Sequence, residues 1–265
     1  MLTRCAWSIS LVPSRAWSYR SALRNLSHQV IHNVEMDHGK GSPQGPVIYS
    51  AVHTDKDMTG IKEKTWEPWA EALRKMAMHP EQHIDTLLQV TQEAVVLHDK
   101  FPKGRKHLLV VSRQEGLDCV KDLNRSHIQL LKNLQALGEE WVQNLLNEDQ
   151  SLVFRLGYHS EPSMRQLHLH VISQDFDSPS LKNKKHWNSF TTSFFRDSKA
   201  TIEELETTGR VQLYGDEHSI QNLELRCHRC QSTQGNIARL KQHIRMCKAP
   251  FPSDLVHKGY LYTWK

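Results

Sequence analysis

The sequence predicts an α+β fold from three patterns in its apolar and cysteine residues. A long helical stripe of leucines stands between two pairs of short runs that are rich in valine and leucine. Three of the five cysteines cluster near the carboxyl end. Helix, paired strands, long helix and paired strands, in that order, are typical of an α+β domain. We therefore predict such a domain over residues 65–190 and a small second domain over 191–250.

Composition describes a globular protein that is long enough to build a hydrophobic core. The chain has 265 residues, of which 38% are hydrophobic and 24% are charged. These fractions argue against a disordered chain. Its apolar runs, such as residues 108–111, are too short to span a bilayer, so we expect no membrane partner. The net charge of +5, with 17 histidines uncounted, suggests a polyanionic partner.

The first 34 residues differ from the rest of the chain. They hold four arginines, six serines and two tryptophans, and no acidic residue occurs before Glu35. This is the composition of an organelle transit peptide, although a disordered basic leader would look the same. Residues 35–64 contain scattered glycine and proline without a period, which indicates a linker. We expect the protein in the nucleus or the mitochondrion.

The first helix and the first pair of strands follow the linker. Apolar residues recur at helical spacing before Pro80, which favours a short helix; these are Trp66, Trp69, Ala70, Leu73 and Met76. Residues 92–98 and 105–112 are rich in valine and leucine, and the turn signal of 99–104 separates them. We predict two adjacent strands.

A long helix and a second strand pair complete the domain. Residues 125–146 carry one apolar stripe, made of Ile128, Leu131, Leu134, Leu137, Trp141 and Leu145. Strands are predicted at 151–158 and 166–173. Alternation in the second of these strands would place Gln166, His168 and His170 on one face and three apolar residues on the other.

The chemistry of this histidine strand is open on the residues alone. It could be a metal site, a catalytic strand that handles nucleotides, or a core strand that happens to carry imidazoles. Two histidines and a glutamine make a poor zinc shell, because no cysteine or carboxylate is evident nearby. A strand with two histidines is by itself more often only a strand.

The carboxyl-terminal cysteines have the spacing of a zinc finger. The motif is Cys227-x2-Cys230-x12-His243-x3-Cys247, a Cys2His2 pattern with cysteine in the last place. Residues 236–246 are predicted to be a helix, on which His243 and Cys247 lie one turn apart. The clustering and the odd cysteine count indicate structural Zn2+ in a reducing compartment and not a disulfide framework. Gln234 replaces an expected apolar residue, so we expect a loose mini-core, with His228 exposed.

A basic run with a tryptophan joins the two domains. Lys184 and Lys185 could contact a phosphate backbone, and Trp187 could stack on a terminal base. The simpler interpretation is a solvated charged face. Residues 251–265 are expected to be a tail.

Four stretches of the chain strongly resemble the histidine triad family, and within it the branch that carries a carboxyl-terminal finger. They are residues 99–112, 154–164, 168–179 and 181–190, and the likeness extends over about 66–247. The resemblance implies the histidine triad fold, a central antiparallel sheet with flanking helices. It also implies that His168 attacks an adenylate phosphorus and forms a histidine–AMP intermediate.

The resemblance extends to further residues of the site. His170 and His159 would face the phosphate, and Ser163 would lie near the leaving group. Lys103 and His107 match positions near the site. Three positions depart from the family pattern: Gln166 stands in place of the first triad histidine, Arg165 in place of a small polar residue, and Ser112 in place of a proline. We expect Gln166 to lower or retune activity and not to abolish it.

The implied function is DNA repair by a hydrolase that removes AMP from 5′-adenylated DNA ends and leaves a 5′-phosphate. The enzyme is expected to act as a monomer and to release AMP as its product. One alternative keeps the chemistry on a small substrate, as a nucleoside phosphoramidase or a dinucleoside polyphosphate hydrolase. Another is a non-catalytic nucleic-acid binding module with a degenerate triad, which only Gln166 supports.

Overall fold

The computed structural model describes residues 66–264, and all of them belong to one compact unit. The predicted leader, residues 1–34, and the predicted linker, residues 35–64, lie outside the described residues. No helix of the described part is long and apolar enough to cross a bilayer.

A six-stranded antiparallel sheet forms the centre of the molecule. Its strands are β1 Leu87–Val90, β2 Ala94–His98, β3 His107–Ser112, β4 Phe154–His159, β5 His168–Ser173 and β6 Phe195–Asp197. They lie in the order β1-β2-β3-β5-β4-β6. The four predicted strands are confirmed. The edge strands β1 and β6 escaped prediction, because four and three residues are too few to show a period.

Seven α-helices of the described part surround or follow the sheet. They are α1 Ala72–Met78, α2 Ile128–Glu148, α3 Lys184–Thr191, α4 Ser198–Thr208, α5 Glu217–Ile220, α6 Ile237–Met246 and α7 Ser253–His257. The predicted helix before Pro80 is confirmed as a 3-10 turn, Pro68–Glu71, that continues into α1. The apolar stripe was wrong at Trp69, which is 60% exposed, because the buried face uses Ala70, Leu73 and Ala77.

Helix α2 covers one face of the sheet, whereas the site lies on the other face, part of which α1 covers. Its buried leucines pack on Leu108, Leu156 and Leu169 of the three central strands. Gly138 permits the close approach, since a Cβ at that position would stand 2.9 Å from Leu156 Cδ2. The histidines of β4 and β5 therefore point to the opposite face.

The finger shares its core with the first domain, which corrects the expectation of a loose mini-core. Leu225, Cys227, Leu240 and Ile244 pack in one cluster with Phe176, Leu181, Trp187 and Phe190. Large side chains from α3 fill the space that a short finger cannot fill by itself. The predicted tail is also structured, because Tyr262 exchanges two backbone hydrogen bonds with Phe154, of 2.9 and 3.0 Å.

Candidate active site

His168 is the first residue of strand β5. One of its ring nitrogens is hydrogen-bonded, and the other is free to act as a nucleophile. Its Nδ1 lies 2.8 Å from the backbone oxygen of Gln166. A carbonyl only accepts, so Nδ1 carries the proton and Nε2 keeps its lone pair. Burial lowers the pKa of the His168 ring, which favours this neutral form.

Gln166 does not belong to β5, and the prediction that its side chain shares a face with the histidines was wrong. Its φ of +83° is left-handed, which interrupts the alternation of the strand. The fully buried side chain donates from Nε2 to the carbonyls of Ser112 and Gln114, at 2.7 Å each. It is the backbone oxygen of Gln166, and not its amide group, that orients His168.

A hydrogen-bonded chain selects the protonated nitrogen of His170. The backbone N–H of Lys103 donates to Nδ1 of His107 at 3.2 Å, which leaves the proton of His107 on Nε2. That Nε2 lies 3.0 Å from Nδ1 of His170, so Nδ1 accepts. His170 then carries its proton on Nε2, a buried atom without a hydrogen-bond partner among the described residues.

Burial keeps the whole histidine cluster neutral. It lowers the pKa of His107 to about 4 and the pKa of His159 and His170 well below the ordinary value of histidine. The ring centroids of His159 and His170 are 4.3 Å apart, and neighbouring imidazoles oppose a second charge. Phe190 packs edge-on against His107, His159 and His170 at 4.6 to 5.3 Å and excludes water.

Sequence reasoning missed two members of this site, Asp99 and Phe190. Oδ2 of Asp99 lies 3.5 Å from Nδ1 of His107, whereas its stretch was taken only as a turn. Asp99, His107 and His170 have a spacing that a metal ion could use. Both ring nitrogens of His107 are already in hydrogen bonds, so the structure favours a proton-ordering chain over a metal centre.

The arrangement can perform nucleophilic chemistry on a phosphate. His168 offers a lone pair at Nε2, and His170 offers an N–H at Nε2 for an anionic oxygen. His159 lies beside them with a buried Nε2 that has no partner in the described part of the chain. Lys103 is partly buried and its pKa is lowered by that burial, although it remains a cation source near the site.

The remaining predicted site residues differ in their exposure to solvent. Ser163 is exposed on the loop between β4 and β5. Lys184 and Lys185 are exposed in the first turn of α3. Trp187 is only 1% exposed and donates from Nε1 to the backbone oxygen of Arg226 at 3.0 Å. A buried ring cannot stack on a base, so that prediction was wrong.

The four predicted metal ligands come together in the finger. Their ligand atoms lie within 4.8 Å of one another, with Cys227 Sγ 3.9 Å from Cys247 Sγ and Cys230 Sγ 3.1 Å from His243 Nε2. Tetrahedral zinc with bonds of about 2.3 Å to sulfur would hold two sulfurs about 3.8 Å apart. The donor set and spacing therefore fit zinc. His228 is half-buried between the rings of Phe176 and Trp187, which corrects the expectation that it is exposed.

Two family models match the chain. Residues 71–186 match the model described as the scavenger mRNA decapping enzyme C-terminal binding domain. Residues 191–248 match the C2HE / C2H2 / C2HC zinc-binding finger. The boundary between the two matches falls within α3.

Relatives of this chain include several aprataxins. It is 52% identical over 198 residues to "Transcription factor bHLH140" of Arabidopsis thaliana, covering 75% of this chain and 22% of the relative. It is 40% identical to "Aprataxin" of Gallus gallus, covering 74% and 60%. It is 30% identical to "Aprataxin-like protein" of Saccharomyces cerevisiae, covering 67% and 95%. The chain spans 60% or less of the length of the first curated relatives that it matches.

Solved structures share the fold of about two thirds of this chain. The aprataxin ortholog Hnt3 in complex with DNA is 26% identical to this chain, with a TM-score of 0.56. The match covers 67% of this chain and 94% of that one. The fold is therefore that of a histidine triad domain followed by a finger.

Proposed function

This chain belongs to the aprataxin family, and we propose that it removes AMP from 5′-adenylated DNA ends through a covalent intermediate on His168. The observation that carries the proposal is the pairing of two ring nitrogens with opposite roles. Nε2 of His168 has a lone pair, because Nδ1 donates to Gln166. Nε2 of His170 has a proton and no partner among the described residues.

The reaction proceeds in two displacements. Nε2 of His168 attacks the adenylate phosphorus, an N–P bond forms, and the P–O bond to the DNA 5′-phosphate breaks. The electron pair leaves on that phosphate oxygen, which is a good leaving group. Water then attacks the phosphorus and loses a proton to the solvent, the N–P bond breaks, and its electron pair returns to Nε2 as AMP is released.

The other residues of the site stabilise the phosphate during both displacements. The N–H of His170 donates to a non-bridging oxygen, where charge develops. Nδ1–H of His168 remains bonded to the Gln166 oxygen and supports the positive charge on the substituted ring. His159 and Lys103 add a second imidazole and a cation near the same phosphate. A dry, prearranged set of donors is worth more than the same donors in water.

The DNA-binding surface uses exposed side chains beside this centre. Lys184 and Lys185 can contact phosphates, since both are exposed at the start of α3. Trp69 replaces Trp187 as the aromatic residue that can stack on a base. Its turn lies against the loop that precedes His168, because the N–H of Arg165 donates to Ala70 O at 2.8 Å. The solved DNA complex of Hnt3 supports a DNA substrate.

Zinc in the finger would have a structural role in this proposal. Cys227, Cys230, His243 and Cys247 would hold it in a closed tetrahedral shell, which leaves no open position for a reacting water. We further propose that the chain acts as a monomer, with AMP as the released product.

Release of AMP from an adenylated nicked duplex tests the proposal. We expect release by the wild type and a fall of at least about a thousandfold in His168→Ala, since a covalent nucleophile is removed. His98→Ala is the matched control, because His98 is exposed at the end of β2 and lies outside the site. It should retain wild-type turnover.

Three outcomes would contradict the proposal in different ways. No release by the wild type would favour a nucleic-acid binding module. Equal release by His168→Ala would show that His168 is not the nucleophile. Faster cleavage of a DNA-free dinucleoside polyphosphate than of the adenylated nick would favour a small-nucleotide hydrolase.

A further inference from the structure

We propose that Arg165 is a positioning residue, which holds the left-handed backbone of Gln166 so that its oxygen orients the ring of His168. Arg165 lies three residues before His168 and touches none of the reacting atoms described above. The role in turnover rests on the proposed function, whereas the orientation of the ring can be measured without a substrate.

The tripeptide 165–167 is tied to three separate segments by its backbone. The N–H of Arg165 donates to Ala70 O at 2.8 Å, and the N–H of Leu167 donates to Leu117 O at 2.8 Å. The oxygen of Leu167 accepts from the N–H of Ser112 at 2.9 Å. The backbone oxygen of Gln166 lies between these hydrogen-bonded groups along the chain and accepts from Nδ1 of His168.

The conformation at Gln166 is unfavourable by itself. A φ of +83° is unfavourable for a residue with a Cβ. Asparagine and aspartate can offset this cost with a local hydrogen bond from their short side chains, whereas glutamine is not a residue that routinely does so. Such a conformation persists only where the surroundings impose it. The Gln166 side chain supplies one constraint through Ser112 O and Gln114 O.

Arg165 supplies the second constraint, through a different set of partners. Its Nε lies 3.0 Å from both oxygens of Asp118, and its Nη1 lies 3.0 Å from Glu71. Glu71 closes the turn before α1, and Asp118 belongs to the loop that follows β3. The planar guanidinium can hold both carboxylates at once, which an ammonium group cannot do in the same geometry.

Loss of this anchor should release the Gln166 oxygen from Nδ1 of His168. The proton of a neutral imidazole then distributes between Nδ1 and Nε2, since the hydrogen bond at one nitrogen fixes the tautomer. A ring protonated at Nε2 has no lone pair to attack with. Arg165 therefore acts on catalysis through the fraction of His168 that is in the nucleophilic form.

The test compares Arg165→Met, which keeps the length of the stem, with Arg165→Lys, which keeps the charge. For Arg165→Met we expect kcat on the adenylated nick to fall about 10- to 100-fold, in the range of a misplaced catalytic group. Arg165→Lys should lie between that variant and the wild type. Lys132→Ala is the control, because it removes an ion pair with Glu206 that joins α2 and α4 away from the site.

Nitrogen-15 NMR of the His168 ring in the free protein gives the second readout. The wild type should show the proton on Nδ1, Lys132→Ala should match it, and Arg165→Met should show a mixture of tautomers. A merely structural role would lower the melting temperature of Arg165→Met without changing the ring signals. Unchanged ring signals in Arg165→Met, with or without lost stability, overturn the proposal.

The two readouts separate this inference from the function it rests on. If the wild type releases no AMP but Arg165→Met shifts the His168 tautomer, the proposed function fails and the positioning role stands. If the wild type releases AMP and Arg165→Met matches it in both kcat and ring signals, the positioning role fails alone.

Discussion

His107 shows how one buried residue arranges the protons of its neighbours. Its Nδ1 accepts from a backbone N–H and its Nε2 donates to His170, so its tautomer is imposed from the loop that precedes β3. The Lys103 N–H can fix the tautomer of His107 only while the His107 ring is neutral. A protonated His107 would have no acceptor for the Lys103 N–H, and the order of the chain would be lost.

The neutral state of His107 predicts a pH dependence of stability. Burial lowers its pKa to about 4 in the folded protein, against an ordinary value of about 6.5. Below the ordinary value the unfolded chain binds more protons than the folded one, so stability falls as the pH falls. This single site should cost about 2 kcal/mol between pH 7 and pH 5.

Chemical denaturation of the wild type and of His107→Gln at both pH values measures this contribution. The other buried histidines and the finger are the same in both proteins, so the difference between their pH dependences isolates His107. We expect the wild type to lose about 2 kcal/mol more than the variant over this interval. Parallel losses would show that His107 titrates normally in the folded state.

At the scale of elements, the sequence was informative where the constraint is local. The apolar stripe of residues 125–146 predicted α2, and the spacing of four ligands predicted the finger, because each pattern lies within one element or one short motif. The turn at Gln166 was not predictable in this way. Alternation assumes an extended backbone, and a glutamine gives no signal for a φ of +83°.

Trp187 shows the same limit in helix α3. Its basic neighbours in the sequence favoured a nucleic-acid contact, but the carbonyl that binds its ring nitrogen belongs to Arg226. Asn188, the next residue, donates to the carbonyls of Gln221 and Leu223 at 3.0 and 2.8 Å. These partners lie more than thirty residues away along the chain. Only the tertiary structure turns this helix towards the finger.

We therefore expect the buried face of α3 to contribute to stability and its exposed first turn to contribute to DNA affinity. Trp187→Phe removes the N–H that satisfies Arg226 O and should lower the free energy of unfolding by about 2 kcal/mol. The double variant Lys184→Ala, Lys185→Ala should leave stability within about 0.5 kcal/mol. It should weaken binding to adenylated DNA and reduce the salt dependence of log Kd by about 2.

Thermal unfolding and DNA titration over a range of salt concentrations, on the same preparations, check both halves. The folded fraction of Trp187→Phe should bind DNA as the wild type does. Reduced affinity of that folded fraction would show that Trp187 contributes to DNA binding. An unchanged salt dependence in the lysine variant would mean that the first turn of α3 is only a solvated face.

At the scale of the whole molecule, the finger and the sheet behave as parts of one packed body. Phe176, Trp187 and Phe190 share a cluster with Leu240 of the finger helix, and Phe190 also packs against three histidines of the site. Paired backbone hydrogen bonds between Phe154 of β4 and Tyr262 tie the carboxyl-terminal residues to the sheet. Structure lost in the finger should therefore reach the catalytic side.

Zinc removal tests this coupling. A finger of this size folds only with its metal, and here the same fold buries Leu240 and Ile244 against α3 and its neighbours. Chelation, or Cys230→Ser, should lower the melting temperature of the whole described unit on the order of 10 °C, within one cooperative transition.

Cys119→Ser is the matched control, because it removes a buried cysteine outside the finger and should retain zinc. Calorimetry with a zinc assay on the same samples decides the point. A separate low-temperature transition, with the main transition of the metal-free protein unchanged, would show instead that the finger unfolds independently and that the shared cluster contributes little to the sheet.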